Sequence, residues 1–339
     1  MNKKLTKISI ALAAGGLLTA GLAAGAATTA SAATGPAWHV VLSTSSGTVS
    51  DSFVTIVATG QNSGWAFRSD GAAFERTGAT TWKQVAFPGT GGVVSAAGAS
   101  SPSDVWAAYD VSGETQLYHW NGRSWTLAKS FTSGAIGAIS ALSPSDVWVS
   151  GTAGMFRFNG RTWTEVSATL GLGSALSDSD VWAFNGTDVD HYNGRTWTAT
   201  SVASLLPAQL AGHPASNVSD VIELAPNNVY ATGEGDQTPR GGPGVVLHYN
   251  GRTWSLVESG GFVEGGKLAS DGAGGLWIEG QSFPGRLPEL FHYSAGQVTD
   301  TGPVGEPASV SQIPGTREAL SGGWESGTGD GTAVVWQYS

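Results

Sequence analysis

Carboxylates, histidines and arginines set the chemistry open to this chain of 339 residues, which has no Cys. Without thiols it can make no disulfide, Cys-bound metal centre, thiol nucleophile or Cys-linked lipid anchor. Glu234 and Asp236 stand two positions apart, as do Asp188 and Asp190, and Asp330 lies in a Gly-rich stretch. Close carboxyl pairs can divide acid and base roles or hold calcium weakly, although neither pair matches a metal-loop spacing. Arg240, Phe283 and Arg286 lie in neighbouring irregular segments, and His213 precedes Pro214. His119, His191, His248 and His292 each precede Trp or Tyr at one recurring place. A repeat keeps residues of one phase apart, so local packing rather than a shared ion is expected of them. No metal and no cofactor are expected.

The elements that must position these groups come from that repeat. Ser103-Asp104-Val105-Trp106 returns as Ser145-Asp146-Val147-Trp148 and Ser179-Asp180-Val181-Trp182, and more weakly as Asn227-Asn228-Val229-Tyr230. A second phrase, Asn121-Gly122-Arg123-Ser124-Trp125, returns at Asn159, Asn193 and Asn250. Asn-Gly between aromatic runs predicts a hairpin with a type I′ turn. Asp104, Asp146 and Asp180 read as turn formers that bond nearby N–H groups. Each repeat then holds four antiparallel strands, beginning with a small-residue strand such as residues 94–98. Second-strand aromatics at Trp65, Trp106, Trp148, Trp182, Tyr230, Trp277 and Trp324 mark seven units, about 43 residues apart. Trp82, Trp125, Trp163, Trp197 and Trp254 mark fourth strands and are expected to pack between units. Residues 333–338 match a third strand with nothing after it, and residues 37–41 a fourth strand with nothing before it. The N-terminal strand should therefore complete the last unit and close a ring.

This pattern resembles an all-β fold, the seven-bladed β-propeller of four-stranded antiparallel blades. It is similar to secreted bacterial propellers with Val-Trp and Asn-Gly-Arg-Thr-Trp repeats, loosely of the kelch, Asp-box and tectonin types. The resemblance spans residues 33–339 and implies architecture rather than activity, because propellers host hydrolases, lyases, lectins and docking platforms. Sialidase-like propellers carry an Asp-box at the turn where this chain has Asn-Gly-Arg-Thr-Trp. Their Arg-Ile-Pro motif is missing here, and Arg123, Arg161, Arg195 and Arg252 are committed to repeated turns. A sialidase mechanism is not expected.

Departures from a repeat usually map to loops on its binding face. The long connections at 201–217, 233–244, 280–288 and 325–332 should share the face opposite the Asn-Gly turns. They would gather His213, Glu234, Asp236, Arg240, Phe283, Arg286 and Asp330, near Asp188 and Asp190, into an acidic rim. The expected function is a non-catalytic propeller that binds a glycan or an extracellular protein there. The alternative is an extracellular carbohydrate-active hydrolase or lyase, which needs two rim carboxyls about 5–10 Å apart.

Residues 1–32 read as a secretory signal: Lys3, Lys4 and Lys7, an apolar run, then Ala30-Ser31-Ala32. A single extracellular domain, 33–339, is expected, monomeric and away from membranes after cleavage. The net charge of −10 argues against nucleic-acid partners.

Overall fold

The computed structural model describes residues 36–45, 51–207, 216–235, 242–282, 287–325 and 331–339, so the expected signal segment lies outside them. Every regular element among these residues is a β-strand. The first strand is β1 (Trp38–Thr44), followed by β2 (Phe53–Gly60), β3 (Ser63–Arg68), β4 (Ala73–Arg76) and β5 (Trp82–Val85). Next come β6 (Val93–Ser101), β7 (Asp104–Val111), β8 (Glu114–Trp120) and β9 (Trp125–Phe131). They are followed by β10 (Ile136–Ser143), β11 (Asp146–Gly151), β12 (Gly154–Phe158) and β13 (Trp163–Ser167). The fourth group is β14 (Gly171–Ser177), β15 (Asp180–Asn185), β16 (Asp188–Tyr192) and β17 (Trp197–Ser201). The fifth is β18 (Asn217–Ala225), β19 (Asn228–Glu234), β20 (Pro243–Tyr249) and β21 (Trp254–Val263). Then follow β22 (Leu268–Ser270), β23 (Leu276–Gln281), β24 (Pro288–Ser294) and β25 (Gln297–Asp300). The last three are β26 (Glu306–Gln312), β27 (Ala319–Glu325) and β28 (Thr332–Tyr338).

Neighbours along the chain pair antiparallel, as short connections between small-residue and aromatic strands require. Four sheets are four-stranded meanders, and a fifth has the order β1-β28-β27-β26. The expected separation of every unit fails at one place. β21 runs on until Val263 pairs with Gln281 of β23, fusing two meanders into one eight-stranded sheet. β1 takes the fourth-strand register: Trp38 lies opposite Tyr338, as Trp197 does opposite Tyr192.

The second-strand aromatics lie between sheets. Trp65 meets Trp120 and Trp125 of the next sheet at 4.9 and 5.0 Å between ring centres. Trp106, Trp148 and Trp182 repeat this contact with Trp163, Trp197 and Trp254, and Trp277 meets Trp38 at 5.1 Å. One expected member is out of phase. Trp324 pairs with Ala333, whereas the residue opposite Gln337, in the slot that holds His119 elsewhere, is Leu320. The two positions are four apart and point to the same side of the strand, so alternation could not separate them.

The Asn-Gly turns also differ from expectation. Asn121 Oδ1 accepts the N–H groups of Arg123 and Ser124, which puts Asn at the entry and Gly122-Arg123 at the centre. Gly122 has φ +85° and Arg123 does not have positive φ, the sign pattern of a type II′ turn. A Cβ on Gly122 would lie 2.9 Å from Ser103 Cβ, so the two repeated phrases meet here.

Side chains also bind each sheet to the next near the first strands. Thr55 Oγ1 donates to Val94 O at 2.8 Å, and Ser95 Oγ to Ile136 O at 2.9 Å. Ser150 Oγ accepts from Leu172 N, and Ser174 Oγ from Glu223 N. Ser311 Oγ of β26 accepts from Ala58 N of β2 at 3.0 Å. Removing residues 1–44 should therefore lower the melting temperature by more than about 10 °C, because it strips β1 with the buried Val41 and the Trp38 contact. Removing only residues 1–35 should leave it unchanged, and circular dichroism melts of both truncations check this.

Candidate functional site

The histidine slots resolve into a layer within the sheets. His119 lies against Trp106 at 4.3 Å between ring centres, and its Nε2 is 2.7 Å from Asp104 Oδ1. The Trp106 indole N–H and the Ser100 hydroxyl donate to the same carboxylate. His191 pairs with Asp180 and His292 with Asp271 at 2.7 and 2.9 Å, and His248 pairs with Asn228. Arg157 replaces His in one unit, bonding both oxygens of Asp146 over the Trp148 ring. Asp104, Asp146 and Asp180 are thus partners of third-strand cations and imidazoles, not turn formers. Burial opposes ionisation of Asp104, but its bonds to His119, Ser100 and Trp106 outweigh that and hold the carboxyl below its ordinary range. These four histidines are spent on packing. Arg123, Arg161, Arg195 and Arg252 are exposed at their turns.

The first strands surround a central cavity. β2, β6, β10, β14, β18, β22 and β26 all contribute to a cavity of about 570 Å³. Small residues make most of its wall, among them Ala96, Gly137, Ala138, Gly171 and Gly173. Among larger apolar residues such as Ile139 and Phe184, three lining side chains are charged: Asp220, Lys267 and Glu279. Asp220 accepts Val221 N at 2.9 Å and Leu268 N at 2.8 Å, while Glu279 accepts Val310 N at 3.1 Å. Both carboxylates thus continue the series of bonds between meanders, Asp220 within the eight-stranded sheet and Glu279 across to β26. Lys267 Nζ donates to Gly137 O at 3.0 Å, joining two sheets far apart in the chain. Burial lifts Asp220 to about 7, against the opposing pull of the Leu268 and Val221 N–H groups and Lys267. Glu279 is also lifted to about 7 by burial, with Lys267 opposing and Asp220 adding to the rise.

These three residues were not singled out in the sequence, although a signal existed. Asp220 lies opposite Thr232 two places before the anchor slot, where Thr55 lies opposite Phe67 and Ala96 opposite Ala108. A charged residue in a small-residue slot was the mark to look for.

Of the expected rim residues, Asp188, Asp190 and Glu234 are described. Asp188 and Asp190 occupy the same side of β16, two positions apart, and Asp190 is buried. Burial, then the Asp188 charge, push the Asp190 carboxyl upward. Glu234 ends β19 in another sheet, opposite Asn217 and Gly244. None of the three lines the cavity. His213, Asp236, Arg240, Phe283, Arg286 and Asp330 lie outside the described residues.

With this geometry in view, comparison with solved structures decides the architecture. YCF48 bound to D1 peptide matches with a TM-score of 0.60 at 13% identity, over 89% of this chain and 96% of that one. This fold is a β-propeller. The propeller is similar to the WD40 domain of Doa1, with a TM-score of 0.60 at 9% identity over 88% of this chain and 96% of that one. It is also similar to a catalytically inactive virginiamycin B lyase from Staphylococcus aureus with quinupristin, with a TM-score of 0.58 at 11% identity, over 89% of this chain and 99% of that one. Identities this low speak to fold alone. No family model and no curated protein matches the sequence.

A further carboxyl outside the cavity gives the propeller a measurable pH dependence. Glu223 is 4% exposed and occupies the slot of Ala99 in β6. Burial, followed by Asp180, raises it to about 7. An acid with a raised folded-state value binds more protons folded than unfolded, so stability falls as pH rises from the unfolded value near 4.5 towards about 7. Glu223→Gln should raise the melting temperature by a few degrees at about pH 8 and leave it nearly unchanged at about pH 4. Calorimetry across that interval is the check, and a wild-type curve that rises with pH would contradict the assignment.

Proposed function

We propose that this chain is a secreted, seven-bladed propeller, closed by its N-terminal strand in the last blade, that binds a protein partner at the mouth of its central cavity. The observation that carries this reading is the cavity itself. First strands need only small residues to converge, yet three charged side chains stand in this wall. That departure supports a surface made for recognition. The propeller YCF48 with its bound D1 peptide supports the choice of a protein over a glycan. Secretion rests on the pattern of residues 1–32.

Hydrolase or lyase chemistry in this cavity would draw on Asp220 and Glu279. Both oxygens of Asp220 already accept backbone N–H groups, a wall-building role that favours binding over catalysis. The test is selection from a random displayed-peptide library on the immobilised full chain, beside a glycan array. Peptides should be enriched and should lose binding to Gly137→Leu, which fills the cavity. Enrichment of glycans alone, or peptides indifferent to that change, would overturn the reading.

A further inference from the structure

The charge balance of the cavity points to the chemistry of its occupant. Asp220, Lys267 and Glu279 are the titratable side chains among its lining residues, from β18, the segment before β22, and β23. Two carboxyls thus face a single ammonium, and that ammonium donates to Gly137 O. The wall is one cation short of neutrality when both acids ionise. A cavity of about 570 Å³ has room for a long side chain rather than only a bare ion. Among the described residues no three His, Asp or Glu side chains converge as a metal would require. Asp220 and Glu279 already spend oxygens on Val221, Leu268 and Val310. An organic cation carrying several N–H donors suits what is left.

Resting on the protein-binding reading, we infer that the cavity receives an arginine or lysine side chain of the partner, held by the Asp220 and Glu279 carboxylates. The cation stabilises both acids in their ionised form, so binding draws protons off them and tightens as pH rises through about 7. Gly137 makes the site testable without disturbing the fold. A Cβ there meets nothing within 4 Å and its φ is not positive, so a larger side chain enters the cavity unopposed.

The experiment titrates the full chain with acetyl-Gly-Arg-Gly-amide and with the same peptide carrying neutral citrulline. The arginine peptide should bind at least about tenfold more tightly, and more tightly at about pH 8 than at about pH 6. Gly137→Leu and Glu279→Gln should each lose about tenfold in affinity, the first melting near the wild type and the second no lower than it, since Gln keeps an oxygen for Val310 N. Lys267→Met should bind more tightly. Equal affinity for citrulline, unchanged affinity in Gly137→Leu, or no binding at about millimolar peptide would overturn the inference. Displayed peptides that are selected but lack basic residues would also sink it, while the protein-binding reading would survive.

Discussion

The fold depends on an indole wedged between sheets. Trp65, Trp106, Trp148, Trp182 and Trp277 each leave their own sheet on the second strand and pack on the third- or fourth-strand aromatics of the next. Buried indoles of this size contribute several kcal/mol each, so the packing fixes how neighbouring sheets are spaced. On Trp106, Trp148, Trp182 and Trp277 a His or Arg covers the ring, and an Asp at the start of the second strand or just before it orients that side chain. One aromatic contact thus explains why Trp, His and Asp recur together: they form one packing unit divided among three segments of sequence.

A second set of forces works nearer the centre. Where strands converge, large side chains have no space, and hydroxyls joining one sheet to the next satisfy backbone groups that would otherwise face a cavity. Thr55, Ser95, Ser150, Ser174 and Ser311 serve this purpose with short, neutral side chains. Asp220 and Glu279 make the same kind of bond with charged ones, at the cost of burying carboxyls. Hydroxyls would bridge the sheets without that penalty. The carboxylates thus add to the scaffold a capacity to meet a cation, and the fold and its candidate site share the same atoms.

Much of this was legible beforehand, and the errors have physical causes. Strand order, the sheet-forming meanders and the packing role of tryptophan could be read because hairpin turns and alternation are local. The turn type was misread because the Asn121 side chain, not its backbone conformation, organises the corner. Trp324 was mistaken for an anchor because register within β27 depends on β28 and β26 together. Asp104 looked like a turn former because His119, its true partner, lies on another strand. Asp220, Lys267 and Glu279 carry no loop signal, because they sit on or beside regular strands.

The amino-acid sequence by itself determined the strands, their antiparallel pairing within each repeat and the rhythm of the aromatic wedges. These follow from turn chemistry and from side chains alternating every second residue, interactions that close over a few tens of residues. Tertiary structure decided what meets at the centre. Lys267 reaches the carbonyl of Gly137, and Asp220 stands near Glu279, because separate repeats line one cavity. No local pattern encodes a meeting of residues held on separate repeats. It arises only when every wedge is in place.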